Sequence, residues 1–93
     1  MGPVTQLLSD PNKWTKTTLA QTTYDHNVPP QHSTAAKWSV RGALMRVYPV
    51  DHVEKLLLFM EVSNKYYPIE DYEKLHQALT HEALLFILKE TGL

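Results

Sequence analysis

The chain contains no cysteine. Its absence excludes disulfides, thiolate chemistry and Cys-ligated zinc, and it fits a reducing compartment, so a cytoplasmic location is the expectation. Glycine is scarce, with only Gly2, Gly42 and Gly92, far apart, which excludes a phosphate-cradling loop. Neither sign of charge dominates. Nine Lys and Arg stand against ten Asp and Glu, and a net charge of −1 argues against a general nucleic-acid binder, which needs a basic excess. Long apolar runs are missing too: Leu56–Met60 and Ala83–Leu88 fall far short of the ~20 residues of a membrane-spanning helix. The opening stretch Met1–Leu8 lacks the basic and apolar regions of a secretory signal. Gln6 stands where a myristoylation motif requires a hydroxyl.

What is present suits one small folded domain over residues 1–93. Apolar residues make up 43% of the chain and aromatics 10%, too many for disorder. A chain of 93 residues buries only roughly 60–65% of its unfolded surface, so each large apolar side chain matters.

Residues 1–33 form an extended or irregular N-terminal third, and residues 34–93 a helical part. In the first part Asp10-Pro11 suits a short helical turn, with Asp10 as cap. The Thr-rich segment Trp14–Tyr24 leans towards extended structure, and Asp25-His26-Asn27 reads as a turn. Ser33 or Thr34 can cap a first helix running to Val47, closed by Tyr48-Pro49. Asp51 and Glu54 have capping-box spacing for a second helix to about Lys65, ended by Tyr67-Pro68. Segment 69–79 suits a turn or two of helix. Thr80 caps a last helix, His81–Thr91, and Gly92 stops it. The fold class expected is therefore mainly α, with three to four short helices and an irregular or hairpin-like N-terminal third. Trp14 and Trp38 should anchor the core, with Trp38, Gly42 and Met45 at the spacing of a buried helical stripe. Gly42 should admit close approach of another segment.

Catalytic and metal chemistry find little support. Of the five histidines, His81-Glu82 begins like a zinc-protease helix, but Leu85 stands where the second His is needed. His76 and His81 are five apart, the wrong step for one helical face, and solvent-facing or capping roles are expected. No metal and no cofactor is expected. No Gly-x-Ser-x-Gly elbow surrounds any serine, which leaves a small hydrolase as the third reading. Lys37 and Arg41 fall one helical turn apart with Trp38 beside them, a basic pair with an aromatic. These three residues carry the second reading, a nucleic-acid-associated protein.

The apolar pattern carries the first reading. In the last helix Leu84, Ile87 and Leu88 make one stripe, leaving Leu85 and Phe86 on other faces. In the preceding long helix Val53, Leu56, Leu57 and Met60 are expected to face the core, leaving Leu58 on the wet face. A helix apolar on most of its circumference is either central to the fold or covered by a partner. Leu58, Leu85 and Phe86 are thus the candidate interaction residues, for a protein partner or a homodimer.

Trp14-Thr15-Lys16, Leu19-Ala20, Asp25 and Ala36-Lys37-Trp38-Ser39-Val40-Arg41-Gly42-Ala43-Leu44 resemble an uncharacterised family of small bacterial and phage proteins. In that family a Trp-Thr-Gln-Gly-like opening precedes a Trp-Cys-x-x-Gly-Ala-Leu helix, and a Trp/Tyr-Asn-Asp element precedes a Thr-capped last helix. The resemblance extends to Tyr72-Glu73-Lys74 and Thr80-His81-Glu82, and so spans most of the chain. Ser39 replaces the Cys, Glu73-Lys74 replaces Asn-Asp, and Thr17-Thr18 replaces a glycine-containing step. The resemblance implies a bacterial or phage accessory protein that binds and regulates a host protein. It brings no activity and no functional residues. The expectation is a non-enzymatic protein-interaction module without membrane attachment.

Overall fold

The computed structural model describes residues 2–93, so the Met1 end of the myristoylation reading lies outside the described residues. The fold is mainly helical. Five α-helices are found among the described residues: α1 (Pro3–Leu7), α2 (Val40–Val47), α3 (His52–Tyr66), α4 (Tyr72–Ala78) and α5 (His81–Thr91). Two short strands, β1 (Ala20–Gln21) and β2 (Lys37–Trp38), precede α2, and Pro11–Lys13 makes one 3-10 turn.

Local signals set most of the helix ends. Asp10 caps the 3-10 turn by accepting the Asn12 N–H at 2.9 Å. Asp71 accepts from Lys74 N at the start of α4, and Thr80 from Ala83 N at the start of α5. Gly92 ends α5 in the left-handed region, at φ 75°. Leu93 N then reaches back to the Leu88 carbonyl, and glycine occupies this conformation without the steric cost a Cβ would add. The Leu93 carbonyl in turn accepts from Val4 and Thr5 at the start of α1, tying the last helix to the first.

Two local readings are corrected. The helix expected from Ser33 or Thr34 begins only at Val40, with Ser39 as its cap through Gly42 N at 3.0 Å. Residues 36–38 are drawn instead into antiparallel pairing, Ala20 opposite Trp38 and Gln21 opposite Lys37. Trp14 pairs along the other side of Trp38, where Thr15 N donates to the Trp38 carbonyl. Long-range ladder bonds here override local helix propensity. At α3 the Asp51 carboxylate makes no capping bond, because the Pro49-Val50 turn leaves Asp51 at ψ 12° rather than in the extended conformation a cap requires. The N-terminal third is also less irregular than expected, since it contains α1.

The core lies where α3 packs between α2 and α5, with α1 laid against α2 and α5. Leu44, Phe59, Leu75, Leu79, Leu84, Ile87 and Leu88 are fully buried there, with Val4 of α1 and Leu8, which follows it. Trp38 is buried at 5% exposure, but from a strand and not from a helical stripe. Its indole N–H donates to the Pro30 carbonyl at 3.0 Å. Gly42 lies directly beneath the Leu19 carbonyl, which also accepts from Ser39 N; any Cβ there would overlap that oxygen.

Candidate functional site

The inward face of α3 differs from the expected one. Phe59 and Ser63 are buried, with Leu56, Met60 and Val62 half-buried beside them. Val53 and Leu57, expected in the core, are 59% and 64% exposed. A helix apolar on nearly every side can be rotated to bury several alternative stripes, and the positions of α2 and α5 decide which one goes in. With Val50, which precedes the helix and is exposed, Val53 and Leu57 recur at steps of three and four along one outward line. A second line, Leu58, Val62 and Tyr66, runs along the other flank at four-residue steps. It ends where the Tyr66 ring meets Phe86 of α5 edge-on, centroids 5.0 Å apart. Glu54, Glu61 and Lys65, all exposed, separate the two lines.

Of the three interaction residues expected, Leu58 and Phe86 are exposed, at 36% and 45%. Leu85 is half-buried against the core, so it is a packing residue at the edge of this surface. The residues that enlarge the surface, Val53 and Leu57, were hidden by their assignment to the core.

The basic set is dispersed. Lys37 is on β2 and forms an ion pair with Asp25, whose positive φ marks the preceding turn. Trp38 is buried, and Arg46 covers its ring with the guanidinium 5.0 Å from the centroid while donating to the Pro30 carbonyl. Arg41 is exposed on the first turn of α2. A base could stack on Trp38 only after that corner opened.

Arg41 instead borders a cavity of about 200 Å³ between the Lys16–Leu19 loop, the start of α2 and α4. Its floor is built from α4. Tyr72 Oη accepts from Arg41 N at 3.0 Å, with the Ser39 hydroxyl alongside. His76 Nε2 accepts the Trp14 indole N–H at 2.9 Å and Val40 N–H at 3.4 Å. Together with the Ser39 cap, these contacts occupy the first three amides of α2. Every helix start leaves such donors over, and burying them unpaired would be costly. Tyr72 and His76 stack with their rings 14° from parallel. Burial pushes the Tyr72 hydroxyl up to about 12, against the opposing pull of the Arg41 amide and Ser39. Burial, helped by the Lys16 charge, brings His76 down to about 4. Both groups are neutral near pH 7.

His76, at 2% exposure, is neither solvent-facing nor a conventional cap, and sequence reasoning missed it. The signal was present: Tyr72, Leu75, His76 and Leu79 follow the i, i+3, i+4, i+7 pattern of one helical face. The two histidines judged too far apart for a shared ligand both touch Trp14, at centroid distances of 5.4 Å for His76 and 5.8 Å for His81. His81 Nε2 is spent on the Leu8 carbonyl at 2.7 Å. Among the described residues no group of three His, Asp or Glu side chains is placed to hold a metal ion, and no helix is long and apolar enough to cross a membrane.

No protein-family model, no curated protein and no solved structure matches the chain. The residues themselves therefore carry what can be said of function.

Proposed function

We propose that the chain is a non-enzymatic protein-interaction module whose binding surface is the outward side of α3, extended by Phe86 of α5. One observation carries this reading: Val53 and Leu57 leave more than half of their surface in water on the longest helix of the domain. Each such side chain gains ~1.5–3 kcal/mol when fully covered, so a partner burying Val53, Leu57, Leu58 and Phe86 would gain several times that amount before the cost of association. Glu54 and Glu61 between the apolar lines would set the orientation of that partner. A bacterial or phage accessory protein acting on a host protein, as the family resemblance implies, is the setting we propose. A second copy of the chain is the first partner to test.

Val53→Glu combined with Leu57→Glu tests the reading. Both side chains are exposed, so the double variant should keep its melting temperature. Wild-type protein should self-associate in light scattering, or retain a protein on an affinity column, and the variant should do neither. A wild type that is monomeric at all concentrations and retains nothing that the variant loses would refute the proposal.

A further inference from the structure

The cavity beneath Arg41 has a composition that the interaction surface does not explain. Arg41 and Lys16 both border it, and neither is paired with a carboxylate among the described residues. Lys16 Nζ spends one N–H on the Gln77 carbonyl at 2.9 Å and rests 5.1 Å from the centre of the Trp14 ring. That fixes the ammonium in place while leaving two of its donors. The larger groove nearby, of about 860 Å³, differs in its charge balance: Asp10 and Asp25 line it beside Lys13 and Lys37, and Lys37 is already paired with Asp25.

The neutral groups at the floor are also donors. His76 Nε2 is filled by Trp14 and Val40, so the ring proton belongs on Nδ1, which has no acceptor among the described residues. Tyr72 Oη receives the Arg41 amide and lies beside the Ser39 hydroxyl; with Ser39 donating to Oη, the Tyr72 O–H is left to donate to a ligand. The α2 amides are already occupied, so a ligand would meet side chains and not a bare helix end. A volume of about 200 Å³ is several times the ~30 Å³ share of one liquid water, enough for a tetrahedral or planar oxyanion with a small substituent.

We propose that this cavity binds a small oxyanion, a phosphate or carboxylate group, held by Arg41 and Lys16 with the Tyr72 hydroxyl and His76 Nδ1–H as neutral donors. Two cations supply charge-assisted hydrogen bonds, and the two neutral donors supply direction. Glu73 is the one carboxylate on the rim among the described residues. It opposes the ligand charge and limits affinity, so removing its charge should tighten binding. The site is separate from the α3 surface, and either proposal can fail without the other.

Amide chemical shifts followed during titration with sodium phosphate, with sodium acetate, and with sodium chloride at matched ionic strength test the proposal. Saturable shifts centred on Arg41, Tyr72 and His76 are expected with phosphate, acetate or both, and not with chloride. Preference between the two identifies the anion class. Arg41→Gln, which removes a charge whose guanidinium bonds to no side chain among the described residues, should weaken binding about tenfold, and Glu73→Gln should strengthen it several-fold. No saturable shift up to ~50 mM of either anion, or the same response in all three proteins, would overturn the assignment.

Discussion

Acid should unfold this domain largely through one residue, His76. Its imidazole is held down from 6.5 to about 4 by burial and by the Lys16 charge. The folded state therefore binds fewer protons than the unfolded chain between those two values. The contribution is fully present above pH 6.5 and is lost as pH falls towards 4. For these two values, about 2 kcal/mol of stability present at pH 7 is gone by pH 5, and about 3 kcal/mol by pH 4. The group is almost fully buried, so solvent screening does not dilute the effect. Against a total stability of order 5 kcal/mol for a small domain, that is a large share. The same ring accepts from Trp14 and Val40 through Nε2. Protonation would also place a third donor against those two and a positive charge near Lys16. His76→Gln isolates the effect, because the amide oxygen can accept both bonds and cannot take up a proton in this range. Urea unfolding of both proteins at pH 7 and pH 5 cancels the carboxylates common to the two. The wild type should lose about 2 kcal/mol more than the variant over that interval. Equal losses, within ~0.5 kcal/mol, would refute the reasoning.

Two further outcomes follow from packing. Gly42→Ala should destabilise by about 3 kcal/mol or more in thermal or urea unfolding, because its Cβ meets the Leu19 backbone carbonyl, which cannot swing aside as a side chain would; a near-neutral result would mean that the contact between Leu19 and α2 is loose. Ser63→Ala should raise stability by ~1 kcal/mol, since the Ser63 hydroxyl is fully buried on α3 with no hydrogen-bond partner among the described residues; a loss of stability in the same assay would show that the hydroxyl has a partner after all.

The two proposed surfaces were legible in the sequence to very different degrees. An excess of apolar faces on α3 and α5 is visible as a pattern, and it pointed to Leu58, Leu85 and Phe86, of which Leu58 and Phe86 are exposed and Leu85 is half-buried. The pattern could not say which faces would be left over. Val53 and Leu57 fit a core stripe as well as Phe59 and Ser63 do, and the neighbours of α3 decided between them. The cavity was not legible at all. Lys16, Arg41 and His76 come from three separate segments, and Arg41 was grouped with Lys37 and Trp38 on a helical turn that does not exist.

The sequence by itself determined the mainly helical class, the course of α5 from Thr80 to Gly92, and the ends of α2 and α3 before Pro49 and Pro68. Each of these rests on interactions within a few residues: a side-chain cap, a left-handed glycine, a proline that bars the preceding residue from the helix. Tertiary structure alone decided that residues 36–38 pair with 19–21, and so where α2 begins. It also chose the stripe of α3 that faces inward and brought Trp14 from a loop onto His76 of α4, 62 residues away. Those outcomes depend on which surfaces meet when the chain closes on itself, and a one-dimensional pattern of apolar and polar residues leaves several such closures open.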